Sequence, residues 1–73
     1  LDVFQVPIPR SLVGKTLAQA GIRETSRCNV LAIVRDGQTI ASPGANAVLQ
    51  AGSDLILIGD HRGEETFFKH YRD

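Results

Sequence analysis

Ala51–Gly59, AGSDLILIG, decides the fold class. The polar turn Gly52-Ser53-Asp54 runs straight into Leu55-Ile56-Leu57-Ile58, and Gly59 stops the run. Consecutive branched aliphatics between such breakers predict a short strand buried on both faces, here Asp54–Gly59. A second run of the same kind, Val30-Leu31-Ala32-Ile33-Val34, sits upstream and predicts a buried strand over Asn29–Arg35. Two such strands in so short a chain imply an α+β module built around one sheet.

The flanking segments fill in the rest. Leu1–Pro7 places Phe4 and Val6 on one face, the pattern of a half-buried strand. Pro7 and Pro9 end it, because proline has no N–H to give a ladder. Ser11–Ala20 is expected to be a short helix with Leu12, Val13, Leu17 and Ala20 on its apolar side, stopped by Gly21. Ile22–Cys28 follows as a polar connection with one apolar anchor. Asp36-Gly37 is a hairpin signal, and Gln38–Ala41 is the returning strand. Ser42–Asn46 is a loop, and Ala47–Gln50 is either a turn of helix or an extended arm. Asp60 caps a terminal helix from about Arg62 to Tyr71. Glu64 and Glu65 near its start, with Lys69, His70 and Arg72 near its end, complement the helix dipole.

Composition excludes several classes. The 73 residues suffice for one domain, and a domain this small buries only about 60% of its unfolded surface. Cys28 is the single cysteine, so no internal disulfide can brace it. Oligomerisation is therefore the expected source of extra stability. The chain begins at Leu1, and we expect residues 1–73 to be one domain cut from a longer protein. Eight basic residues balance eight acidic ones, and the basic residues are scattered. That argues against a nucleic-acid module, which carries a basic patch, and against a polybasic lipid-binding segment. No apolar run approaches the roughly 20 residues that span a bilayer. One free cysteine fits a reducing compartment.

No catalytic motif stands out. Gly14-Lys15-Thr16 lacks the upstream glycine of a phosphate-binding loop, since Pro9 occupies that position. Serines 11, 26, 42 and 53 have no nucleophile elbow around them. His61 and His70 have no third metal ligand nearby in sequence. Phe67, Phe68 and Tyr71 are spaced as core or interface residues. Cys28 is first a small packed hydrophobe. Arg23, Arg27 and Arg35 are first solvated or salt-bridged surface groups, with Glu24, Asp36 and Asp54 as partners. The sharper alternative is an anion site, strongest at Arg23, because a guanidinium fork suits phosphate. Asn29, at a strand start, can pair with backbone or with a base edge.

Taken in order, these pieces resemble one family. Pro9–Leu17 looks like its opening, a small-residue turn followed by Gly14-Lys15-Thr16-Leu17. Gly21-Ile22-Arg23 matches its short apolar-Arg segment, and Asn29–Gly37 is similar to its central strand N-V-x-A-I-x-R-x-G. Ser42-Pro43, Leu49 and Gly52–Gly59 resemble its closing stretch, with Ser53 inserted in the loop where the family often has Gly-Asp adjacent. No single stretch is specific; their shared order is. The family is the C-terminal domain of regulators of potassium conductance, also called the RCK-C or TrkA-C domain.

The resemblance implies a dimerising α+β domain with a sheet of about four strands, a short N-terminal helix and a C-terminal helix. It implies a regulatory domain, not an enzyme, following a Rossmann-type domain and associated with a potassium channel, transporter or cation antiporter of the inner membrane. The domain itself would be cytoplasmic, with no membrane insertion; the expectation of no nucleic-acid contact comes from the scattered charge. It also implies a ligand site at the homodimer interface. By motif, its residues are Ile22, Arg23, Asn29, Val30 and Pro43, and the ligand is cyclic di-AMP or another small anion. No catalytic residue, metal or certain cofactor is expected. The competing expectation is a dimerisation module without a ligand.

Overall fold

The computed structural model describes residues 1–72. Four strands form one sheet: β1 (Asp2–Pro7), β2 (Asn29–Arg35), β3 (Gln38–Ala41) and β4 (Asp54–Gly59). Their spatial order is β1-β4-β2-β3, and every neighbouring pair is antiparallel. The run that begins at Leu55 is thus central. Leu57 lies opposite Phe4 on one side and Val30 on the other, and Leu55 opposite Val6 and Ile33. Opposed residues share a face, so these six build one apolar surface.

Helix α3 (His61–His70) covers that surface. Asp60 caps it by accepting the Gly63 N–H at 2.7 Å, and Phe67 is buried against the core with Tyr71 behind it. Leu49, Leu55 and Leu57 have no exposed surface. The opposite face is more open. Ile56 and Ile58 are half-buried and Val3 is 62% exposed. The expectation of strands buried on both faces therefore holds for only one face of β4. In β2 it fails at Leu31, which an irregularity between Val30 and Ala32 turns outward. The Asp36-Gly37 hairpin forms as read, with positive φ at both residues.

Two segments differ from the sequence reading. Ser11–Ala20 is not one helix. A single 3-10 turn spans Arg10–Leu12, and a short helix α1 (Leu17–Ala20) follows. Between them Gly14 takes φ 87°, and its N–H donates to the Leu49 carbonyl at 2.8 Å. The Leu49 N–H returns the bond to Lys15 at 2.8 Å. Backbone groups that a helix would use internally are spent on Ala47 and Leu49, which flank the Thr16–Val48 bridge of the extended arm. Ile22–Cys28 is not a plain connection either, because Ile22–Ser26 is helix α2. Ile22 and Ser26, one turn apart, are both buried, and the Ser26 hydroxyl donates to the Ile22 carbonyl at 2.8 Å. Ser53, inserted in the loop before β4, is buried, and its carbonyl accepts the Ile8 N–H at 2.9 Å.

Candidate functional site

Gly21 makes the site possible. It closes α1 and opens α2 with φ 63°, a conformation in which a side chain would be strained. The sharp corner turns α2 so that its first turn faces the start of β2. The loop after β3 closes the third side. That loop is held rigidly: the Leu17 N–H donates to Ala47 and the Ala18 N–H to Ala45, each at 3.0 Å.

Between these walls lies a cleft of about 330 Å³. Ile22, Arg23, Asn29, Val30 and Pro43 all line it, so the residues assigned by resemblance converge on one concavity. Ile22 is buried beneath, Val30 and Pro43 are half-buried, and Arg23 and Asn29 stand exposed on the rim. The cleft also takes in Leu17, Ala18, Glu24, Cys28 and Ala45, which sequence reasoning did not assign to it. The two small alanines and the buried thiol carry no local signal. Glu24 could have been suspected, since it follows Arg23 on an exposed helical turn.

The chemistry of the cleft is mixed. Arg23 is the one cation lining it and Glu24 the one anion. Neither has an ion-pair partner among the described residues within 4.0 Å. Aliphatic walls surround them. Such a surface can hold a flat apolar group and present one fork-shaped donor to an acidic oxygen. The N-terminus of α1 contributes no anion donor. Its first N–H groups are already given to Ala47, Ala45 and the Thr16 hydroxyl, the last at 3.2 Å. Gly14-Lys15-Thr16 is thereby a cap and a backbone pairing, not a phosphate cradle. Arg27 and Arg35 do not reach the cleft.

Cys28 forms the floor and is fully buried. Its N–H donates to the Ser26 hydroxyl at 3.3 Å. Behind it the structure is tight: a Cβ added at Gly59 would sit 2.6 Å from the Cys28 sulfur.

These features meet a clear set of relatives. The family model for the TrkA-C domain matches residues 3–71. The chain belongs to the TrkA-C domain family. Among solved structures, the TrkA-C domain described here is similar to part of the GsuK channel, with 34% identity and a TM-score of 0.89. The match covers 94% of this chain and 13% of that one. The RCK C domain of the potassium transport protein KtrA, in complex with cyclic di-AMP, matches with 28% identity and a TM-score of 0.86. That match covers 94% of this chain and 81% of the other. A dimer of the RCK_C domain of Streptococcus agalactiae BusR, also with cyclic di-AMP, shares the fold at 19% identity, with a TM-score of 0.84 over 99% of this chain and 97% of that one. The GsuK channel has been solved bound to NAD as well. BusR has also been solved with its busAB promoter DNA, where the match covers 36% of that chain. Sharing this fold therefore does not exclude a DNA-binding parent, and the expectation of no nucleic-acid contact rests on this chain's own scattered charge. Among the described residues, no helix is long and apolar enough to cross a membrane.

Proposed function

We propose that this TrkA-C domain is a cytoplasmic, non-enzymatic ligand sensor within a potassium channel, potassium transporter or cation antiporter. It acts as a homodimer, each copy contributing one cleft to a shared site. The observation that carries the reading is the convergence of Ile22, Arg23, Asn29, Val30 and Pro43 on one concavity beside a rigidly held loop. The ligand is a small anion with flat apolar groups, and cyclic di-AMP is the leading candidate. A two-fold ligand of that kind would lay one base against Ile22, Val30 and Pro43 of each copy. Each Arg23 would pair with one phosphate, and Asn29 would contact a base edge. Signalling follows if the ligand binds one arrangement of the two copies better than another, since only differential affinity moves the equilibrium.

The test is calorimetric titration of the chain with cyclic di-AMP, NAD and ATP, repeated on Arg23→Ala. One nucleotide should bind selectively. The substitution should weaken it by about tenfold or more, the scale of a lost charge-assisted hydrogen bond. A folded dimer that binds none of them would support the second reading, a dimerisation module without a ligand. Unchanged affinity in Arg23→Ala would remove that residue from the site.

A further inference from the structure

His61 opens α3 with its imidazole among three carboxylates. Nδ1 lies 3.6 Å from Asp2 Oδ2, and Nε2 lies 3.9 Å from Glu65 Oε2. Glu64 is on the same face of the helix as His61, one turn on. One donor atom from each of Asp2, His61 and Glu64 lies within 4.8 Å of the others. The set draws on two elements, the first residue of β1 and the first turn of α3. Among the described residues, neither Asp2 nor Glu64 has a lysine or arginine within 4.0 Å. Like charges thus crowd here with only an imidazole to offset them.

We propose that Asp2, His61 and Glu64 form a divalent metal site, with Zn²⁺ the ion that its donors suit best. One imidazole nitrogen with carboxylate oxygens matches zinc, whereas calcium and magnesium are held by oxygen alone. Zinc sits about 2.0–2.2 Å from such donors, which sets them roughly 3–3.5 Å apart. Donors up to 4.8 Å apart need to close by roughly 1–2 Å, and the His61 side chain is 81% exposed. Glu65, on the opposite ring nitrogen, is placed to accept the remaining imidazole N–H and fix the ring, as outer carboxylates do for metal-bound histidines. The ion would tie edge strand β1 to α3. In a domain without a disulfide, such a clip adds directly to stability. Sequence spacing hides the site, because Asp2 and His61 meet only through the pairing of β1 with β4.

Titration of the metal-free chain with ZnCl₂ tests this, followed by calorimetry and by melting temperature, with MgCl₂ as the comparison ion. The expected result is one zinc per chain and a melting temperature that climbs with free zinc, as binding to the native state requires. His61→Ala, Asp2→Asn and Glu64→Gln should each weaken zinc at least tenfold, and Glu65→Gln by about tenfold. His70→Ala should leave it unchanged. The positions are on the surface, so circular dichroism should report folded variants. No zinc binding, a response equal to that of magnesium, or a His61→Ala chain that binds zinc as well as the parent would each overturn the proposal.

Discussion

The two sides of Cys28 could hardly be more different. On one side, β4 and α3 press so close that Gly59 and Gly63 leave no room for a methyl group. A Cβ at Gly63 would lie 2.8 Å from the Ser26 carbonyl and 3.3 Å from the Cys28 sulfur. On the other side, the same residue floors a cleft of about 330 Å³. One strand start thus serves two opposed ends. Dense packing fixes the floor, and the fixed floor lets α2 and the loop after β3 hold a cavity open. Interiors packed to crystal density transmit strain, so this division should be measurable residue by residue.

The largest effect should come from the packed side. Leu57 is fully buried at the centre of the sheet, touching both neighbouring strands through its opposed residues. Leu57→Ala removes that contact and leaves a cavity, at a cost of about 2–5 kcal/mol. Against a total of about 5–15 kcal/mol for a natural domain, that loss should bring the chain near unfolding in a thermal melt. A small change in melting temperature would mean that α3 carries the core without the sheet.

Next is Gly59→Ala. The added methyl collides with the Cys28 sulfur, and overpacking of this kind costs about 1–3 kcal/mol. At about 4–8 °C per kcal/mol for a domain of this size, the melt resolves it easily. The cause is specific and therefore reversible. Combining Gly59→Ala with Cys28→Ala should cost less than the sum of the two single changes, a coupling that only contacting residues show. Strict additivity would mean that the backbone, not the sulfur, meets the methyl. Asp60→Ala is smaller. It removes the carboxylate that accepts the Gly63 N–H and should cost about 1 kcal/mol, read from the same melt.

Legibility in the sequence follows the range of the forces involved. β4, β2, the Asp36-Gly37 hairpin and the Asp60 cap are set by neighbours within a few residues, so periodicity and turn chemistry reveal them. The helix expected over Ser11–Ala20 fails because its hydrogen-bond partners, Ala45 to Leu49, lie far along the chain. Apolar spacing alone cannot see that Gly14 turns the chain at φ 87° and that Lys15 pairs with Leu49. α2 is missed for the same reason, since Ile22 and Ser26 form a buried face only once α3 and Cys28 are in place. The cleft is legible through family resemblance rather than residue chemistry. Its resemblance-assigned members do converge, but Leu17, Ala18 and Ala45 are apolar or small and Cys28 is buried, and nothing local marks them. Asp2, His61 and Glu64 are the extreme case, a cluster that exists only through strand pairing.

The smallest stability effect should fall on the open side, and it is the most informative. Arg23 is exposed, stands on the first turn of α2, and has no ion-pair partner among the described residues. Surface substitutions of that kind change stability by less than about 0.5 kcal/mol. Alanine is also the better helix former, so α2 itself loses nothing. Arg23→Ala should therefore melt within a few degrees of the parent in the absence of ligand. If it instead falls as far as Gly59→Ala, the guanidinium is part of what holds the cleft together. The cleft would then be a wall of the folded core rather than a surface kept free for a ligand, and the difference between the two sides of Cys28 would disappear.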